Sequence, residues 1–316
     1  MTADLKSSLD VYRRRIDLRL GALLPDVLPG QSALGDALHD SVLAPGKRLR
    51  PLMTLIAAED LGGATAAAID AGCAVEMIHA ASLVLDDLPC MDNATLRRGL
   101  PAVHIGHGED VAVLVSVAAL SRAYQVLAQI EGLAAEARIE CVAVLSGAVG
   151  VAGLVGGQFE DLRGGRMLRP MAEIAAANGL KTGSLFSASV EIGGVVAGAQ
   201  AATRVRLRRF ADELGHAFQL LDDLLDGAKS PVAIGKDIGQ DVGKSTIVSL
   251  IGRTSARRRI ERHIEAAHES LTDIFGARSR LHGLIEIIFD QAMRATVEDD
   301  SGQDKALPLG QEIGAR

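Results

Sequence analysis

Nine prolines sit at positions 25, 29, 45, 51, 89, 101, 170, 231 and 308, so residues 102–169 and 171–230 run without one. Proline removes a backbone donor and clashes with the preceding turn, so its absence over such intervals favours long, unbroken helices. The residues that fill them are Ala, Leu, Val, Glu and Arg at helical spacing, as in Leu207, Phe210, Leu214, Phe218 and Leu221. Asn178-Gly179 lies between two helical runs and predicts a helix break. The pattern predicts an all-α fold of roughly ten or more helices, a bundle with a large interior. No Gly/Ser/Pro-rich linker divides it, so residues 1–295 read as one domain. From Thr296, past Glu298-Asp299-Asp300, the periodicity is lost and 296–316 read as a loose tail.

Composition excludes several classes. A chain of 316 residues that is 48% hydrophobic is not disordered, and its length supports an ample core. With 33 basic against 40 acidic residues it lacks the basic balance of a nucleic-acid binder. Cys73, Cys90 and Cys141 form no Cys-x-x-Cys pair, which fits a reducing compartment without disulfides or zinc. The first residues lack the apolar core of a signal peptide, and the chain reads as cytoplasmic. Cys141–Phe159 carries no charge over 19 residues but holds five glycines, Ser146 and Gln158. It is too weakly apolar for stable membrane insertion and reads as a tightly packed internal helix. Arg253, Arg257, Arg258, Arg259 and Arg262 read as a solvated helix face.

The most informative feature is a pair of aspartate clusters, each following an apolar helical run. Asp86-Asp87-Leu-Pro-Cys-Met-Asp92 follows Ala80–Leu85, and Asp222-Asp223-Leu-Leu-Asp226 follows Phe218–Leu221. Asp222 and Asp226, four apart, share one helix face, whereas Asp86 and Asp92, six apart, would diverge on a regular helix. Pro89 answers this by ending or kinking the helix so that Asp92 swings back. One such cluster could be a solvated helix end; two, each closing an apolar helix, call for a cation between the carboxylates. An oxygen-only set suits Mg²⁺, which shares its remaining positions with water and substrate phosphates. Basic residues flank both clusters: Gly46-Lys47-Arg48-Leu-Arg50 and Arg97-Arg98 around the first, Lys181-Thr182, Lys236 and Gly243-Lys244-Ser245-Thr246 around the second. Arginine forks and lysine point charges together describe a site for a polyanion bridged by Mg²⁺.

With these residues in place the chain resembles the trans-isoprenyl diphosphate synthases. Asp86–Asn93 with Leu96-Arg97-Arg98-Gly99 resembles the first aspartate-rich motif of that family, and Gly215–Asp226 the second. Gly46-Lys47-Arg48-Leu49-Arg50-Pro51, Glu76-Met77-Ile78-His79, Lys181-Thr182-Gly183 and Gly243–Thr246 match in order and spacing. The likeness covers about residues 10–290 and is nearest to bacterial geranylgeranyl diphosphate synthases of carotenoid pathways.

The resemblance implies an isoprenoid-synthase helical bundle around a large central cavity, three Mg²⁺ ions, and a homodimer. It implies metal binding by Asp86, Asp87, Asp92, Asp222 and Asp226, with Asp86, Asp87, Asp92, Asp222, Asp223 and Lys181 as the catalytic set. Arg97, Lys181, Thr182, Gln219, Lys236 and Lys244 would hold the allylic diphosphate, and Lys47, Arg50, His79 and Arg98 isopentenyl diphosphate. His79 lies seven residues before Asp86, two turns and about 10 Å along the same helix face. Chain length would be set by Ala81, Ser82 and Met77: Ala81 stands where the fifteen-carbon synthases usually carry an aromatic floor, so a twenty-carbon product is expected. Ala44-Pro45-Gly46 departs from the commoner double glycine without expected consequence, and variation over 227–235 leaves the alignment of Lys236 open.

Other readings are weaker. Glu76-x-x-His79, Glu213-x-x-His216 and Glu265-x-x-His268 have the spacing of a di-iron bundle but leave both aspartate clusters unexplained. A phosphate loop ending at Lys244 would need glycine at 238, where Ile238 stands. A terpene cyclase would not need Lys47, Arg50 and Arg98, and a non-catalytic partner subunit would be expected to lose carboxylates from one cluster. A farnesyl diphosphate synthase remains the nearest alternative.

Overall fold

The computed structural model describes residues 2–164, 169–226 and 246–303. Helices dominate: α1 (Thr2–Leu23), α2 (Ser32–Val42), α3 (Leu49–Asp60), α4 (Thr65–Asp86), α5 (Val103–His107), α6 (Glu109–Ala128), α7 (Ala135–Val149), α8 (Leu154–Arg163), α9 (Met171–Asn178), α10 (Ser184–Val196), α11 (Ala201–Asp226), α12 (Ile247–Ile251), α13 (Arg253–Phe275) and α14 (Arg280–Gln303). The only strands among the described residues are the two-residue β1 (Leu96–Arg97) and β2 (Leu100–Pro101), antiparallel with Leu96 opposite Pro101. The all-α expectation holds, and the proline-free intervals supply the long helices α6 and α11.

Helix α4 runs through the middle, packed by α3, α6 and α10, which is why its sequence is apolar on nearly every side. Met77 and Ile78 on α4, Met53 and Ile56 on α3 and Phe186 on α10 are fully buried. Gly193 lets α10 press onto α3; a Cβ there would stand 2.6 Å from the Thr54 carbonyl oxygen. Helix α14 is tied back to α3 and α1 by Arg280, which donates to Asp60 and Glu59 and to the Tyr12 hydroxyl.

Four expectations change. Asn178-Gly179 does not break the chain: both residues keep right-handed helical angles, and α9 passes through a π-helical turn, Gly179–Gly183, into α10. Cys141–Phe159 is not one internal helix. Gly150–Gly153 turns the chain between α7 and α8, and Val151 and Phe159 are 85% and 56% exposed. The stretch 253–262 is not simply solvated. Arg253 donates to the Leu224 carbonyl at 3.1 Å, and Arg257 to the Thr296 hydroxyl at 3.2 Å, because α13 lies along α11. Finally, α14 passes position 296, where a loose tail was expected to begin, and Thr296 is buried.

Three helical stretches are long and apolar enough to cross a membrane: Thr65–Asp86, Glu109–Ala128 and Ala135–Arg163. In the first, 72% of the apolar window is buried inside the fold, so its hydrophobicity is that of a core. The other two expose a shared kind of outer surface, including Leu114, Val117, Ile139 and Val155.

Candidate active site

The first aspartate cluster is built by ending a helix early. Helix α4 stops at Asp86, and Pro89 lies in the turn that follows. The chain then curls back: the Asp92 amide donates to the Asp86 carbonyl at 2.9 Å, and the Ala94 amide to the Asp87 carbonyl at 3.2 Å. Asn93 completes the reversal at φ 51°, a left-handed conformation that asparagine tolerates better than most residues. Asp86 and Asp92, divergent on a continuous helix, are thereby adjacent.

Burial raises the Asp86 carboxyl to about 6, opposed by Lys181 and reinforced by Asp92. Asp87 behaves differently. It is buried, and Arg97 Nε donates to its two oxygens at 2.9 and 3.1 Å, with Arg97 Nη2 forming a further short bond. Its oxygens are already held by a guanidinium fork, unlike what a shared metal-ligand role for the adjacent pair implies. Arg97 is fixed by the same contact, since the short hairpin β1–β2 places it there. The hairpin turn, Arg98-Gly99, has φ of 55° and 79°, the paired positive values of a type I′ turn.

Arg98 is thus held in a left-handed conformation, a strain that accompanies functional positions. Its guanidinium lies over Gly46, where a Cβ would come within 2.6 Å, and donates to the Ala44 carbonyl at 3.4 Å. Arg50 sits 4.7 Å from the centre of the Phe186 ring, and burial lowers its guanidinium to about 10. His79 is pushed well below the ordinary histidine value by burial and by Arg50, Arg98, Arg97 and Arg48, so it is neutral at physiological pH. Lys47 is exposed on the same loop. Arg50, His79 and Arg98, expected for isopentenyl diphosphate, therefore share one neighbourhood with Glu76 nearby, and among the described residues neither Arg50 nor Arg98 forms an ion pair with a carboxylate. Arg48 is spent structurally, donating to Asp17 at 2.7 Å and Glu76 at 2.9 Å.

Lys181 projects from the π-helical turn, a device often found at functional sites. Gly157 of α8 makes it possible: any Cβ there would collide with the Lys181 backbone nitrogen. Lys181 donates to Asp161 at 2.7 Å, and Asp161 together with Asp86 favours its charged form against the cost of burial. The next residue, Thr182, donates to Gln219 Oε1 at 2.9 Å, and Gln219 Nε2 donates to Asp223 at 2.9 Å. This relay joins the π turn to the second aspartate cluster at the end of α11. Asp222 and Asp223 occupy the last turns of that helix; the Asp226 side chain, Lys236 and Lys244 lie outside the described residues.

Ala81 is buried, Ser82 donates to the His79 carbonyl at 2.8 Å, and Met77 is fully buried one turn below. Sequence reasoning missed Asp161, Phe186 and Gln158. Gln158 is buried with Nε2 4.0 Å from Met91 of the first cluster's turn. The charge pattern Gln158–Asp161 on α8 was a possible signal for two of them; nothing local marks Phe186, whose role arises from tertiary contact.

Among the described residues no three His, Cys, Asp or Glu side chains converge into a complete metal cage. That disfavours the di-iron reading, and Glu76 and Glu213 are paired with Arg48 and His263. It is compatible with Mg²⁺, which takes one or two carboxylates and fills its shell from water and phosphate. The carboxyl of Asp86, raised by burial and further by Asp92, is the observation that fits: a buried oxygen donor beside a second carboxylate favours a cation.

Comparison with known proteins gives the same direction. The chain is 45% identical over 282 residues to a geranylgeranyl diphosphate synthase of Pantoea ananas, covering 89% of this chain and 92% of that one. Its fold matches a farnesyl/geranylfarnesyl diphosphate synthase of Zymomonas mobilis with a TM-score of 0.82 at 31% identity, covering 91% and 99% of the two chains. It also matches a Helicobacter pylori geranyltransferase solved with magnesium and isoprenyl diphosphate, with a TM-score of 0.79 at 26% identity and coverage of 92% and 96%. The polyprenyl synthetase family model matches residues 31–278, most of the length. The chain belongs to the polyprenyl synthetase family and is a prenyltransferase.

Proposed function

We propose that the protein condenses isopentenyl diphosphate with allylic diphosphates, head to tail, to give geranylgeranyl diphosphate. The observation that carries the product length is Ala81, a small buried residue five positions before Asp86, about 7.5 Å down α4. A tail growing from the aspartates toward the N-terminus of α4 passes Ala81 and meets Met77 next. The Pantoea relative, named for the same product, supports the reading.

Asp86, Asp92, Asp222 and Asp226 would hold Mg²⁺ against the allylic diphosphate, with three ions expected from the resemblance. When bound, Mg²⁺ supplies the Lewis acidity that lets the diphosphate leave. Lys181, Thr182, Gln219 and Arg97 orient that diphosphate, joined by Lys236 and Lys244. Asp87 keeps Arg97 in place, as its fork contact suggests. Lys47, Arg50 and Arg98 hold isopentenyl diphosphate, and neutral His79 adds a hydrogen bond without a further charge. The isopentenyl double bond attacks C1 of the allylic cation, the C–O bond to diphosphate having broken. A proton is then lost to the departed diphosphate, so no protein nucleophile is needed. Apolar walls that include Phe186 and Phe218, 5.4 Å apart edge to face, exclude water from the cation.

The active unit is a homodimer in the cytoplasm. The outer sides of α6 and α8 each expose apolar residues, Val117 at 60% and Phe159 at 56% among them. A second copy covering them is the reading these residues support.

The test is incubation of purified protein with isopentenyl diphosphate, each allylic starter and Mg²⁺, with product length measured by chromatography. Twenty-carbon product with no turnover in EDTA is expected. Fifteen-carbon product alone would overturn the Ala81 argument and favour farnesyl diphosphate synthesis; no condensation would revive a cyclase or partner subunit.

A further inference from the structure

Beneath the second aspartate cluster lies a cavity of about 110 Å³ whose lining, Gln219 apart, has no use in the condensation. Asn178, His216, Gln219, Arg259 and His263 supply its polar wall, and Ile247 part of its apolar one. Among the described residues that line it there is no carboxylate, although the chain as a whole carries a net charge of −7. Two acids bond to lining residues from outside: Glu213 to His263, Oε2 to Nδ1 at 2.6 Å, and Asp223, which accepts from Gln219 at 2.9 Å. Arg259 reaches only a thioether, Met171 Sδ at 3.0 Å, a weak acceptor that leaves its guanidinium donors unspent. His216 stacks on His263 with ring centres 5.3 Å apart and makes no hydrogen bond to protein among the described residues.

These groups form a concave set of donors from three helices, α9, α11 and α13, around a space that holds a few waters or one phosphate group but no prenyl chain. A planar guanidinium with imidazole and amide donors is the chemistry that recognises a tetrahedral oxyanion. We propose that this cavity is a second anion site, separate from the aspartate clusters and independent of Mg²⁺, for one phosphate-class oxyanion. Its source is free phosphate or one end of released inorganic diphosphate. His216, Gln219 and Asp223 follow one another along one stripe of α11, at i, i+3 and i+7. An anion in the cavity meets the same Gln219 that receives from Thr182 and donates to Asp223. Occupancy therefore steadies the relay that aims the second cluster.

The site is read without turnover, so its failure and that of the proposed condensation are distinguishable. The full-length protein is titrated in EDTA with inorganic phosphate, and separately with inorganic diphosphate. The ring resonances of His216 and His263 are followed by NMR and assigned with His216→Gln and His263→Gln. Saturable shifts are expected in the unmodified protein and in Arg98→Met, which alters only the isopentenyl site. Arg259→Met should weaken the response at least about tenfold and Arg259→Lys less. The tighter of the two anions identifies the source. Absence of saturation at millimolar anion, an unchanged response in a folded Arg259→Met protein, or loss of the response in Arg98→Met would each overturn the proposal.

Discussion

The two aspartate clusters look alike in sequence and are built in opposite ways. The second rides on a regular helix, α11, which carries Asp222 and Asp223 in its last turns. The first depends on a helix that stops: only because α4 ends at Asp86 can the Asp92 amide reach back to the Asp86 carbonyl. Yet both divide the labour of an adjacent pair. Asp87 is taken by Arg97 and Asp223 by Gln219, while Asp86 has Lys181 and Asp92 as its charged neighbours. Two consecutive carboxylates cannot face one point on a helix, so on the proposed mechanism one of each pair anchors a side chain that would bind the diphosphate. The doubled aspartate would then encode a ligand and its support.

Substitutions should separate these roles. Asp86→Asn removes a ligand and is expected to lower kcat by about a thousandfold or more, measured by radiolabelled isopentenyl diphosphate incorporation at saturating Mg²⁺. Asp87→Asn loosens Arg97 without removing a ligand. A loss of about a hundredfold, expressed largely in KM for the allylic substrate, is expected; a loss equal to that of Asp86→Asn would collapse the distinction. Gln219→Leu severs Thr182 from Asp223 and should cost about tenfold, with KM for isopentenyl diphosphate unchanged. Ala81→Phe touches neither cluster: turnover should stay within a few-fold while the product shortens to fifteen carbons.

The smallest effect is a pH dependence of stability. Unfolded, Asp86 ionises near 3.8; folded and metal-free, near 6. Between those values the folded state holds the extra proton, so this group stabilises the metal-free protein at low pH, and the contribution is lost as pH rises through the folded value. Thermal unfolding in EDTA should show this slope, Asp86→Asn should flatten it, and Mg²⁺ with inorganic diphosphate should oppose it.

Much of this was legible beforehand because it rests on local rules. The missing prolines announced the long helices, and Pro89 announced that Asp92 would return to Asp86. The divergences lie where tertiary contact decides. Asn178-Gly179 resembles a break, but α8 packing through Gly157 accommodates a π turn that carries Lys181 and Thr182 instead. The glycine-rich run 141–159 resembles an interior helix, yet it is split and faces outward, because an apolar sequence does not state whether its own fold or another chain will cover it. Arg253 and Arg257 resembled solvent-facing charges until α13 was laid against α11 and α14, where they hold backbone and hydroxyl oxygens. Asp87, which the resemblance counts among the metal ligands, accepts from Arg97, a contact that arises only once the hairpin β1–β2 delivers that side chain.

The division of labour between the clusters is tested most directly by a crystal structure with Mn²⁺ in place of Mg²⁺ and an unreactive allylic thiodiphosphate, the ions located by anomalous scattering. The account predicts ions bound by Asp86 and Asp92 on one side of the diphosphate and by Asp222 on the other, with Asp87 still held by Arg97. Ions at only one cluster, or an ion ligated by Asp87 with Arg97 released, would contradict it.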